Sequence, residues 1–282
     1  MSEITADKIK DLRQRTGVGM AKCKEALVLS EGSMDKAIEH LRKTGMAASV
    51  KKEGRETKEG VIGVQETKDA IGLIEVNCET DFVAKNEKFV HYVDSLAKQI
   101  AANKVLKLDA FLSEKSSADP SMSVEDHRNQ FIQSFGENIQ IKRIELIEKA
   151  KDASYGIYSH MGGKIVTVVE IKGDAHQPVL AKDIAMHIAA EDPSYLSPEL
   201  VPHELIKKEE EVAKAQIKNK PENIVEKIIQ GKINAYLDQV CLVGQKFIKD
   251  PSVSVADYVK QIGKEANKTL KITCFWRWEI GQ

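Results

Sequence analysis

No apolar run in this chain of 282 residues approaches the roughly 18 residues that a membrane-spanning helix needs. Charge of one sign is lacking as well. Its 42 Lys and Arg are offset by 43 Asp and Glu, a net charge of −1, which gives no bulk attraction to nucleic acid or to an anionic membrane. Cysteine is sparse: Cys23, Cys78, Cys241 and Cys274 are widely scattered and form no CxxC pair, which excludes a zinc ribbon. Such thiols are expected to be reduced and mostly buried in a cytoplasmic protein. The first residues, Met1-Ser2-Glu3-Ile4-Thr5, are neither basic nor apolar enough for a signal peptide. Catalytic signatures are missing too: there is no HExxH, no GxSxG, no dinucleotide fingerprint and no phosphate loop. The run Gly17-Val18-Gly19-Met20-Ala21-Lys22 comes nearest to the last. A helix rather than a strand precedes it, however, so it reads as a tight interhelical turn. His160 and His187 each stand without a catalytic partner. Neither an enzyme nor a bound cofactor or metal is expected.

What is present is an ordinary globular balance, 42% hydrophobic and 30% charged, with length enough for two or three domains. The most informative run is Glu75-Val76-Asn77-Cys78-Glu79-Thr80-Asp81-Phe82-Val83-Ala84-Lys85. Its start continues the apolar stretch Ile71 to Val76, which predicts a buried strand. Its end opens a helical pattern carried by Phe89, Tyr92, Val93 and Leu96. Asp81 and Phe82 therefore fall at a strand-to-helix corner, an exposed and rigidly held place to present side chains to a partner. Residue types alone leave a second reading open, in which Asp81 or Thr80 caps the helix and Phe82 belongs to the core.

Three short helices open the chain. Thr5 caps the first, which runs to about Arg15; the second spans about Met20 to Leu29; Ser33 caps the third, from Met34 to Lys43, with Gly45 at its end. A bundle of this size has little core to spare and suits a docking module. The charged run Ser49 to Gly60 reads as a linker or a solvated helical extension. Beyond it an order recurs: a hairpin of Val61–Val64 and Ile71–Val76 with a helix from about Ala84 to Ala102, then a hairpin of Tyr155–Tyr158 and Lys164–Ile171 with a helix from about Pro178 to Ala190. Between the two halves, Val124 to Gly136 predicts a helix, while Ile139 to Ile147 suits either a strand or more helix. The highly charged stretch from Leu205 to about Leu242, broken at Pro221, predicts two antiparallel helices. The end, Thr269 to Ile280, alternates as a half-buried strand with Trp276 and Trp278 as packing residues. The fold class is thus α+β: a three-helix bundle (1–48), a linker (49–60), and a core of two related hairpin-plus-helix subdomains (61–150 and 151–282) with a helical hairpin inserted at 203–242.

The run Leu12-Arg13-Gln14-Arg15-Thr16-Gly17-Val18-Gly19-Met20-Ala21-Lys22-Cys23-Lys24-Glu25-Ala26-Leu27 resembles the N-terminal signature of the bacterial translation elongation factor Ts family, and Glu75 to Lys85 resembles that family's second signature. Gly136-Glu137-Asn138-Ile139, Ile184 to His187 and Leu242 to Gln245 are similar to further landmarks. The resemblance implies a guanine-nucleotide exchange factor that binds elongation factor Tu in its GDP-bound and nucleotide-free forms, with no direct contact to nucleic acid. It implies that Asp81 and Phe82, within Thr80 to Val83, intrude near the GTPase's magnesium. It also implies that a ubiquitin-associated-like module docks through Arg13, Met20 and Lys24, that the loop at Phe135 and Gly136 meets the phosphate-binding region, and that His160 contacts the partner. The helical hairpin matches the family's coiled-coil protrusion, and the assembly expected is a homodimer or a heterotetramer with elongation factor Tu. Two departures stand out. Ala21 replaces a second methionine of some members, and the sequence ends at Gln282, where some members continue into another helix whose contacts are then expected to be missing. A different class of reading is a passive adaptor that binds a partner through the bundle and the hairpin without altering it.

Overall fold

The computed structural model describes residues 4–16, 18–41, 54–217 and 222–282. Gly17, the end of the third helix at Lys43 to Gly45, the linker's first residues and Pro221 lie outside the described residues. Two compact units make up the chain. The first comprises Met1–Lys149, Met161–Ile165 and Trp278–Gln282; the second comprises Ala150–His160 and Val166–Arg277.

The first unit opens with helices α1 (Ala6–Thr16), α2 (Met20–Leu29) and α3 (Met34–Leu41). They close over a small apolar centre of Leu12, Val18, Cys23, Ala26, Leu27, Ala37 and Leu41. Strands β1 (Glu59–Glu66) and β2 (Ala70–Cys78) follow as an antiparallel hairpin, with Val61 opposite Val76. All of β2 is buried. Its Gly72 lies under the helix that covers it: a Cβ there would sit 2.3 Å from the Ala97 carbonyl oxygen, so helix and sheet can approach this closely only with glycine at that position.

A one-turn helix precedes the helix expected from about Ala84 to Ala102. The short one, α4 (Asp81–Ala84), is capped by Thr80, and α5 (Glu87–Asn103) starts anew at Asn86, whose side chain accepts a hydrogen bond from the Lys88 amide at 3.0 Å. Helix α5 buries Phe89, Tyr92, Val93, Leu96, Ala97 and Ile100. A short α6 (Leu108–Ser113) precedes α7 (Val124–Phe135), whose start is a Ser123–Asp126 capping box and whose end is Gly136 at φ 75°. The stretch left open between strand and helix is strand β3 (Gln140–Glu148), paired antiparallel to β2 in a sheet of order β1-β2-β3.

The uneven alternation of β3 has a physical cause. Glu75 pairs with Arg143 but Val76 pairs with Ile141, so Lys142 is an extra residue, a β-bulge. The bulge shifts the phase by one residue, which lets Ile139, Ile141, Ile144 and Leu146 all serve the same core. Arg143 pairs with the buried Glu75 at 2.6 Å and lies 4.3 Å over the Trp278 ring. Trp278 thus packs, as its pattern suggests.

In the second unit, β4 (Ala153–His160), β5 (Ile165–Lys172) and the last strand, β8 (Lys271–Glu279), form a sheet of order β4-β5-β8. Helix α8 (Pro178–Glu191) covers it, with the Thr167 hydroxyl donating to the Ala185 carbonyl at 2.7 Å. The charged stretch is an antiparallel pair, α9 (His203–Gln216) and α10 (Glu222–Val240), closed on a thin seam of Ala213, Ile229 and Ile233. Unforeseen in the sequence were the small strands β6 (Lys246–Phe247) and β7 (Asp250–Ser254) and the helix α11 (Val255–Glu265). Among the described residues no helix is long and apolar enough to cross a membrane.

Candidate functional site

The corner after β2 resolves the two readings of Asp81 and Phe82. Capping falls to Thr80, whose hydroxyl accepts from the Val83 amide at 3.4 Å. The Phe82 ring is not core: the residue is 84% exposed, although Val83 and Ala84 beside it are buried. One turn of helix therefore directs Val83 inward and Phe82 outward. Leaving a phenylalanine in water forgoes about 2 kcal/mol of burial.

Asp81 sits at the positive end of that short helix. The Lys85 ammonium hydrogen-bonds its carboxylate at 2.7 Å, and together with the charge of Lys164 this holds Asp81 below the usual carboxylate range. It is thus ionised at neutral pH. Both members of the pair are well exposed, so the bond contributes little to stability and exchanges readily for another partner. Beneath the corner, burial pushes the Cys78 thiol up to about 12, so it is neutral and inert.

A second loop meets the first. Glu137 accepts from the Glu79 amide at 3.1 Å, the Thr80 amide at 3.0 Å and the Thr80 hydroxyl at 2.5 Å. Glu79 in return accepts from the Asn138 amide at 2.6 Å. Phe135 turns its ring inward, edge-on to Phe89 and stacked on Phe131, and leaves Gly136 as the exposed point of that loop. Thr80 to Val83 and Phe135 to Gly136 are thereby brought together on one unit. His160 lies in the other unit, at the exposed end of β4, with its Nδ1 3.1 Å from the Tyr158 hydroxyl.

Residues 79–282 match a family model described as Elongation factor TS. An elongation factor Ts of Protochlamydia amoebophila is 55% identical over 282 residues, covering all of both chains. That of Chlamydia muridarum is 44% identical over 281 residues, again with full coverage of each. The chain belongs to the elongation factor Ts family. It is accordingly a translation elongation factor, with the α+β fold of that family.

In this elongation factor Ts chain the remaining residues singled out by sequence lie on the three-helix module. Lys24 is exposed on α2, near the exposed apolar pair Val28 and Leu29, and Met20 is half-buried. Arg13 is engaged at home, 2.7 Å from Asp109 of α6. The Gly19 amide donates to Glu125, and Lys22 pairs with Asp126, both on the first turn of α7. The sequence reading missed Glu79 and Glu137. Both lie inside the runs that carry the family resemblance, but nothing in their spacing foretold that loops 57 to 59 residues apart cap each other. No group of three or more His, Cys, Asp or Glu able to hold a metal occurs among the described residues.

Proposed function

We propose that this chain is a guanine-nucleotide exchange factor for elongation factor Tu, not a catalyst of covalent chemistry, and that Asp81 and Phe82 are its intruding pair. The observation that carries the reading is the 84% exposure of Phe82 on a capped helical turn whose next residue is core. Exchange requires only that the factor bind the nucleotide-free GTPase better than the loaded one; reciprocity then weakens the nucleotide by the same factor. A rigid ring occupies space that an element of the closed GTPase would fill. The ionised Asp81 competes for the waters and side chains around magnesium, whose octahedral shell tolerates little displacement.

Magnitudes bear on the division of labour. A thousandfold faster nucleotide release corresponds to about 4 kcal/mol. Burying one phenylalanine supplies about 2 kcal/mol. Phe82 is therefore a major contributor but not a sufficient one, which leaves work for Asp81, for the loop at Gly136 and for docking through Arg13, Met20, Lys24 and His160. The test is release of fluorescent GDP from purified elongation factor Tu. Acceleration by substoichiometric amounts of this protein is expected. Tight binding without acceleration would make it the passive adaptor instead.

A further inference from the structure

Resting on that reading, we infer that Glu137 is a positioning residue that holds the Asp81–Phe82 turn in its intruding geometry. The corner begins where β2 ends at Cys78, so the amides of Glu79 and Thr80 have left the strand ladder and need other acceptors. One carboxylate oxygen of Glu137 takes both, at 3.1 and 3.0 Å. Its other oxygen takes the Thr80 hydroxyl proton at 2.5 Å. That last bond orients the cap: with its proton committed to Glu137, the Thr80 oxygen keeps its lone pairs for the Val83 amide. The turn it caps is four residues long, too short to persist as an isolated helix, so its order comes from the burial of Val83 and Ala84 together with the clamp. The clamp is reciprocal. Glu79 accepts from the Asn138 amide at 2.6 Å, and the Asn138 side chain donates to the Arg55 carbonyl at 3.0 Å. The loop carrying Gly136 and the turn carrying Phe82 are therefore one preorganised element, and a partner that engages them is spared the cost of ordering either.

A residue that acts only through the turn must lose its effect when the turn's two working side chains are gone, so the test is a mutant cycle. Glu137→Ala should lower the maximal rate of stimulated GDP release about tenfold while the half-saturating concentration moves less than about twofold, because docking surfaces elsewhere are untouched. In an Asp81→Ala/Phe82→Ala background, where both working side chains of the turn are gone, the same change should alter the rate less than about twofold. Glu137→Gln, which retains one carbonyl acceptor, should fall between wild type and Glu137→Ala. Thr80→Val deletes only the hydroxyl and is judged by the same two-background comparison, which keeps the test decisive if Glu137→Ala fails to fold. An undiminished rate in Glu137→Ala, or equal losses in both backgrounds, overturns the positioning role. Full activity of Phe82→Ala alone overturns the intrusion reading beneath it, and the two failures are thus told apart.

Discussion

At the scale of single residues, Phe82 and His187 show opposite solutions to one problem, the placing of a side chain against its ordinary preference. Phe82 is apolar and exposed. His187 is polar and fully buried on α8, where its Nε2 lies 3.0 Å from the Gln245 Oε1 and its Nδ1 accepts from the Ile248 amide at 3.2 Å. That pattern fixes the neutral tautomer with the proton on Nε2. Burial lowers the His187 pKa from 6.5, outweighing the hydrogen bond to Gln245 and the charge of Glu191, which both raise it. The sign follows: below about pH 6.5 the unfolded chain takes up a proton that the folded one refuses. Stability from His187 is complete above that pH and is lost as pH falls toward its folded pKa. The urea midpoint should therefore drop between pH 7 and 5.5, and in His187→Gln, which binds no such proton, the slope should be shallower; equal slopes would remove His187 from the account. The sequence marked both residues but could not orient them. A phenylalanine after a cap is core or surface according to which side of one helical turn meets the sheet, and no local pattern encodes that.

At the scale of elements, patterns that run along one segment were legible and those that need a distant partner were not. The buried β2, the amphipathic α5 and the repeated hairpin-then-helix order follow from apolar spacing alone. Strand β3 was ambiguous because its bulge at Lys142 breaks the alternation, and the bulge is defined only by pairing with β2. The short strands β6 and β7 carry too few residues for any period to emerge. The α9–α10 hairpin was legible from its charge, and its ends explain its independence. The Ser194 and Tyr195 amides both donate to the Val240 carbonyl at 3.0 Å, and the Leu242 amide donates to the Tyr195 carbonyl at 2.8 Å. The chain leaves and re-enters the core at nearly one point. Replacing the two helices with a short Gly/Ser turn should then leave the rest folded and stimulated GDP release within about twofold of wild type. Sedimentation of the shortened protein reports any change in self-association. A collapse of exchange in a folded variant of unchanged oligomeric state would mean that the hairpin engages the GTPase itself.

At the scale of the whole molecule, the account assigns attachment and intrusion to different parts of one chain. The three-helix module meets α6 and α7 through Arg13–Asp109, Lys22–Asp126 and the Gly19 amide on Glu125. Its own core is small, and the exposed Val28, Leu29 and Lys24 remain available to a partner. Deleting residues 1–54 should leave a folded core that binds elongation factor Tu more weakly, since a second attachment point is lost; an unchanged calorimetric affinity would end the docking role of Arg13, Met20 and Lys24. The intruding turn needs no module to be built, because Thr80, Glu79 and Glu137 assemble it within the sheet and helices of the core. The role proposed for it rests on the family resemblance in the sequence, while its geometry came only with the fold. The most direct measurement is stopped-flow release of fluorescent GDP from elongation factor Tu by wild type and by Phe82→Ala, with circular dichroism of both. The account predicts strong acceleration by wild type, an unaltered spectrum in the variant and about thirtyfold slower stimulated release, the equivalent of about 2 kcal/mol of lost ring burial. Wild-type rates from a folded Phe82→Ala would contradict it.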